Sequence, residues 1–178
     1  MKIYAVADLH FGHKNIIKFE KRPFKEVEEM DASLIEQWNN IVGENDQVYI
    51  LGDFTLKGSN YACDILKQLK GTKFLILGNH DNFVRKKDFP QNMFEEITNY
   101  KEIEYNGKHI IMSHYPIADW NEKEYGSILL YGHIHNIKND AQKYMKDQFL
   151  KGYKCYNVGW DVEHRLFNLE EFANERKN

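Results

Sequence analysis

Cysteine, proline and long apolar runs are all scarce in this chain. Its 178 residues hold two cysteines and three prolines. Cys63 and Cys155 fall inside a predicted helix and a predicted strand and lack the paired spacing of a metal site, so they read as reduced, partly buried thiols and argue against a disulfide scaffold. No apolar stretch approaches the roughly 20 residues that span a bilayer, and Lys2 leads straight into a strand pattern with no signal-peptide core. A cytoplasmic location away from any membrane is the expectation. Positive charge is also short: the formal net charge is −3 and the pI about 6.2, which gives no general attraction to a nucleic-acid backbone. The basic groups at Lys67 to Lys73 and Arg85-Lys86-Lys87 are brief and sit in mixed-charge surroundings, so they read as solvated faces. Internal repeats and low-complexity tracts are missing too.

What is present is one domain's worth of ordinary globular composition, 42% hydrophobic and 29% charged. Short apolar runs at Ile3 to Ala7, Val48 to Leu51, Phe74 to Leu77, Ile110 to Met112 and Ile128 to Tyr131 read as buried strands. Between the first three lie amphipathic helices. One begins at Asp31 as N-cap and carries Leu34, Ile35, Trp38, Ile41 and Val42; the other carries Ala62, Ile65, Leu66 and Leu69. A possible short helix starts near Asn15. Strand-helix alternation implies a mostly parallel first half. In the second half, Ile97 to Tyr105 and Lys108 to Met112 flank Asn106-Gly107, a strong hairpin signal. Tyr153 to Val158 reads as a further strand and Glu170 to Arg176 as a short helix, while Asn136 to Gly152 reads as a charged surface excursion with one helical turn or two.

Each of the five apolar runs ends in polar residues of one chemical kind. They are Asp8-Leu9-His10, Gly52-Asp53, Gly78-Asn79-His80-Asp81, Ser113-His114 and Gly132-His133-Ile134-His135. Strand C-terminal ends are where an open α/β sheet collects ligands. Residues i and i+2 of an extended chain point the same way, so Asp8 with His10, and His133 with His135, can each grip one cation. Asp53 offers two oxygens able to bridge two cations, Asn79 a neutral carbonyl oxygen and His114 a further nitrogen. Mixed nitrogen and oxygen donors without thiolate suit Mn²⁺, Fe, Zn²⁺, Ni²⁺ or Co²⁺. Any one cluster alone could be a turn or a helix cap; all five together are hard to explain structurally.

In this pattern the chain resembles the calcineurin-like metallophosphoesterase superfamily, specifically its small single-domain bacterial and phage members. The motifs carrying the resemblance run from Asp8 to His135. It implies an α/β/β/α sandwich of two mixed sheets flanked by helices. It also implies a binuclear centre with Asp8, His10 and His135 on one divalent ion, Asn79, His114 and His133 on the other, and Asp53 bridging, with Mn²⁺ the first choice of metal. His80 resembles the non-ligand histidine that assists the leaving group, with Asp81 orienting its ring. The stretch Phe11 to Ile17, with Lys21 to Phe24, resembles the opening of one small-phosphoesterase group. There His13, Asn15 and Arg22 either contact the substrate phosphate or stabilise the loop. Asn157-Val158-Gly159-Trp160-Asp161 resembles a post-strand turn of the family, with Trp160 read as core. His109 and His164 read as structural or exposed.

The implied activity is hydrolysis of a small phosphomonoester or phosphodiester, nucleotide-derived ones included, by metal-bound hydroxide attacking phosphorus. A nuclease of the same superfamily is the alternative, disfavoured by the acidic balance. A non-catalytic scaffold is the third reading, disfavoured because every ligand position is filled.

Overall fold

Apolar side chains on both faces of the short strands demand cover on both sides, and the chain supplies it with two stacked sheets and two outer helical layers. The computed structural model describes residues 1–173. In the first sheet, β1 (Ile3–Val6), β2 (Gln47–Ile50), β3 (Thr72–Ile76) and β4 (Glu96–Thr98) run parallel, and β9 (Phe167–Asn168) pairs antiparallel with β1, giving the order β4-β3-β2-β1-β9. The second sheet has the order β5-β6-β7-β8, from β5 (Tyr100–Tyr105), β6 (Lys108–Ser113), β7 (Ile128–Tyr131) and β8 (Lys154–Asn157). Here β5 and β6 form the expected antiparallel hairpin, with Asn106 and Gly107 at φ 49° and 69° in the left-handed region that its turn requires. β6, β7 and β8 are parallel.

Alternation along the strands sorts the core. Ile3, Ala5, Tyr49, Leu51 and Ile76 meet Ile110, Met112, Ile128 and Leu130 between the sheets. Their neighbours Tyr4, Val6, Val48, Ile50 and Leu75 face Met30, Leu34, Trp38 and Leu66 on α2 (Val27–Ile41) and α3 (Ser59–Leu66). Trp38 is fully buried, and its indole nitrogen donates to Lys70 O at 3.0 Å, so truncation to Ala would cost about 3–5 kcal/mol. On the far side, Ile111, Leu129 and Cys155 pack on Met145 of α4 (Asp140–Leu150). The layers are therefore α/β/β/α, as the resemblance implies. Cys63 and Cys155 are free thiols, and among the described residues no helix is long and apolar enough to cross a membrane.

Three local expectations need correction. Residues 97–105 are two strands rather than one: β4 closes the first sheet, and after Asn99 the chain passes to the second sheet as β5. Asp31 is not the N-cap of α2, a place held by Glu26; it sits mid-helix and buried, accepting from Gly12 N at 3.0 and 3.1 Å and from the Tyr61 hydroxyl. Between Asn136 and Gly152 stands an eleven-residue helix, α4, capped by Asn139 Oδ1 accepting from Gln142 N at 2.8 Å. Only Met145 and Gln148 of it are buried, so its apolar face leaves almost no periodic trace. After α5 (Trp160–Glu163), the expected C-terminal helix appears as α6 (Leu169–Ala173), and the rest of that expectation lies outside the described residues.

Candidate metal centre

The polar clusters lie just beyond the C-terminal ends of β1, β2, β3, β6 and β7, so strand ends of both sheets contribute to one place. The backbone there is held in unusual conformations. Asp8, His10, Asp53, His133 and His135 have φ values of 58°, 53°, 53°, 70° and 44°. Left-handed geometry costs a non-glycine residue on the order of 1 kcal/mol or more, and it survives where surrounding contacts over-determine it. Those contacts are visible. Asp8 N donates to Gly52 O at 3.0 Å, His10 N to Asp53 O at 2.9 Å and Gly132 N to His114 O at 2.9 Å. Gly52 and Gly78 allow the loops to touch: a Cβ on Gly52 would fall 2.7 Å from Gly78 Cα and overlap His114 Nδ1, and one on Gly78 would overlap Asp53.

The side chains converge as two groups. Asp8, His10 and His135 form one and Asp53, His114 and His133 the other, each with one ligand atom per residue within 4.8 Å of the others. Asp53 stands between them, with Oδ2 3.6 Å from His10 Nε2 and Oδ1 3.7 Å from His114 Nε2. Asn79 joins the second group, its Oδ1 3.2 Å from His114 Nε2.

Hydrogen bonding shows that these atoms fit cations. His114 Nδ1 lies 2.8 Å from Leu51 O, a carbonyl that can only accept, so Nδ1 carries the hydrogen. In the neutral ring the Nε2 lone pair then faces Asn79 Oδ1, another acceptor. His135 repeats this. Its Nδ1 donates to Asp161 Oδ2 at 2.8 Å, which leaves Nε2 facing His10 Nε2 at 3.4 Å and Asp8 Oδ1 at 3.8 Å. Asp8 Oδ1 is buried without a hydrogen-bond partner. Burial raises the Asp8 carboxyl to about 7, with Asp53 adding to the rise and His135 opposing it, and burial lowers His10 to about 2. Lone pairs and carboxylates crowded together out of water favour positive charge, of the kind divalent ions would supply.

His80 lies at the rim. Its side chain is 41% exposed, Nε2 is 3.9 Å from Asp53 Oδ2, and its backbone N–H donates to Asp53 Oδ1 at 2.9 Å. His13 stands beside the centre, its ring centroid 5.6 Å from that of His10 and its Nδ1 buried with no partner. Burial, then the charges of His80 and Arg22, lower its pKa. Asn15 is exposed in the first turn of α1 (Lys14–Phe19) and is not brought to the centre.

One role assignment changes, and of the two alternatives read for Arg22 loop stabilisation is the one that holds. Asp81 makes no hydrogen bond to the His80 ring among the described residues; its oxygens accept from three backbone donors, Asp53 N at 2.9 Å, Phe54 N at 2.8 Å and Gly78 N at 2.8 Å. It ties the β2 loop to the β3 loop. Arg22 cannot pair with a substrate phosphate, being 3% exposed and bonded to Asp161 and to the carbonyls of Asp8 and Leu9. Asp161 is the residue that sequence reasoning missed. Its signal was Asn157 to Asp161 at the end of β8, one more polar strand end, where Asn157 Nδ2 also donates to His135 O at 3.0 Å. Trp160 is buried beneath it at 3% exposure, as read.

Two sheets whose strand ends pool mixed nitrogen and oxygen donors into two groups joined by one carboxylate define a binuclear metal-dependent hydrolase class. The family model for calcineurin-like phosphoesterases matches residues 1–162, and the chain belongs to that family, whose members are metal-dependent hydrolases acting on phosphoester bonds. It is 38% identical over 136 residues to an uncharacterised protein of Methanocaldococcus jannaschii, covering 75% of this chain and 69% of that one. It is 31% identical over 200 residues to the gene 66 protein of Mycobacterium phage L5, covering 94% and 90%. Among solved structures, a protein of unknown function from Aquifex aeolicus aligns with a TM-score of 0.73 at 27% identity, covering 96% of both chains.

Proposed function

We propose that this protein hydrolyses small phosphomonoesters or phosphodiesters with two divalent ions, Mn²⁺ foremost. Asp8, His10 and His135 would hold one ion, Asn79, His114 and His133 the other, and Asp53 both. The single observation that carries this is Asp53, whose two oxygens face one histidine of each group at 3.6 and 3.7 Å. When bound, such a pair polarises a phosphoryl oxygen and brings the pKa of water toward neutrality.

The chain's own residues supply the rest. His80, half in solvent and within reach of the centre, donates a hydrogen bond or proton to the departing oxygen. His13 offers a ring nitrogen to a phosphoryl oxygen from the β1 side. Leu51 O and Asp161 hold the rings of His114 and His135 in the tautomer that turns Nε2 inward. Donors consisting of imidazole, carboxylate and one amide support Mn²⁺ over a thiolate-seeking metal. The two free thiols support a reducing, cytoplasmic setting. The test is p-nitrophenyl phosphate and bis-p-nitrophenyl phosphate hydrolysis by Mn²⁺-reconstituted protein, with metal counted per chain. Turnover with about two ions bound is expected; no turnover on either ester with both ions in place would refute the reading.

A further inference from the structure

Beside the donor groups lies a cleft whose lining suits a second negatively charged group. It measures about 160 Å³, with Asn79, Asn82, Arg85, Asn99 and Tyr115 among its walls. Asn79 turns Oδ1 toward His114, so its amide N–H₂ is the polar group left for the cleft. Asn82 and Asn99 are exposed and add further amides, and Arg85 adds a guanidinium. One carboxylate lines the cleft, Asp81, and it is already satisfied by three backbone N–H groups at 2.8–2.9 Å. Arg85, Lys86 and Lys87 are exposed and form no ion pair among the described residues. Tyr115 walls the side toward the centre. It is 45% exposed, and its ring centroid lies 4.6 Å from that of His133 and 4.9 Å from that of His114. A chain of net charge −3 thus places uncompensated positive charge and N–H donors directly next to its predicted metal ligands.

We infer that this cleft binds a second phosphate of the substrate, so that the preferred substrates carry another phosphate within a few bonds of the one being cleaved. The inference rests on the phosphohydrolase reading above. Arg85 is the specificity-determining residue, because a guanidinium presents two parallel donors to two phosphate oxygens. Lys86 and Lys87 lend field rather than contacts. The second phosphate belongs either to a small bisphosphate or to the next position on a nucleic-acid strand.

The experiment compares thymidine 3′,5′-bisphosphate with thymidine 5′- and 3′-monophosphate on the Mn²⁺-loaded full chain, in wild type, Arg85→Gln and Arg85→Lys. We expect kcat/KM for the bisphosphate to exceed that of the monophosphates by about tenfold or more, mostly through KM. The ratio should collapse in Arg85→Gln and return in part in Arg85→Lys. Calorimetry on metal-free protein should give the same order of affinities. A short oligothymidylate run alongside separates the sources: faster cleavage than the bisphosphate places the second phosphate on a strand, slower cleavage on a small molecule. Equal kcat/KM for mono- and bisphosphate, or a preference that survives Arg85→Gln, would overturn the subsite. Failure of every compound, p-nitrophenyl phosphate included, would instead remove the hydrolase reading beneath it.

Discussion

Arg22 and Asp161 meet through two parallel hydrogen bonds, Nε to Oδ1 at 2.7 Å and Nη2 to Oδ2 at 2.8 Å, with side-chain exposures of 0% and 1%. The pair braces the first donor group from behind. Arg22 also donates to Asp8 O and Leu9 O at 2.7 Å each, and Asp161 Oδ2 accepts from His135 Nδ1 at 2.8 Å. One buried ion pair thereby fixes the backbone at Asp8 and the ring of His135.

Asp161→Asn should therefore weaken one metal site selectively. Loss of an outer hydrogen-bond partner to a ligating histidine lowers metal affinity by about 10–100-fold. Mn²⁺ titration followed by calorimetry should show one weakened site and one nearly native. Equal weakening of both would mean that Asp161 supports the fold in general rather than His135.

Arg22→Met removes the cation and leaves Asp161 buried without its counter-charge. Breaking a buried pair from one side costs about 3–5 kcal/mol, so the denaturant midpoint should fall accordingly. A loss below about 1 kcal/mol would show that Asp161 is neutralised some other way.

His80→Ala should separate chemistry from metal binding. A positioned proton donor contributes about 10²–10⁴-fold, so kcat should drop within that range while about two ions per chain remain. His80→Asn should behave similarly, since it keeps a donor but cannot transfer a proton at neutral pH. Loss of an ion from either variant would place His80 among the ligands.

The candidate donor set was legible in the sequence because each cluster is local: an apolar run and ligand-type side chains within a few residues, with a glycine beside them in three of the five. The pairing of Arg22 with Asp161 was not, since they lie 139 residues apart and only folding joins them. Asp81 was misassigned for a related reason. Its neighbour in sequence is His80, but two of the three backbone donors it accepts from are Asp53 and Phe54, 28 and 27 residues away. The break at Asn99 was hidden because both strands carry the same alternating pattern, and the change of sheet depends on long-range pairing alone.

Asp46 gives a pH prediction away from the metal centre. Its carboxylate accepts from Lys2 N at 2.7 Å and Gly43 N at 2.9 Å, and these backbone bonds hold its pKa below the usual carboxylate value. A depressed folded value means stability fully present above the unfolded pKa, near 4, and lost as pH falls through the folded one. Asp46→Asn should lower Tm at pH 7 by about 2–4 °C, equivalent to about 1 kcal/mol. Wild type and variant should converge in acid below the folded value. A Tm gap that stays constant from pH 7 down into acid would mean that the charge plays no part.

Metal removal should expose the cost of gathering so many lone pairs and carboxylates. Asp8 Oδ1 is buried with no hydrogen-bond partner, and Asp53 is 2% exposed between the two histidine groups. An ion that binds only the folded state adds about 2.7 kcal/mol at one hundred times its Kd. For a chain of this length that is a Tm rise of about 5–10 °C per site. Scanning calorimetry from chelator to millimolar Mn²⁺ should show Tm climbing with the logarithm of free metal. In Asp53→Asn the climb should fall to less than half, because one carboxylate serves both groups. A wild-type Tm indifferent to Mn²⁺ over that range would mean that the donors do not act as a metal centre.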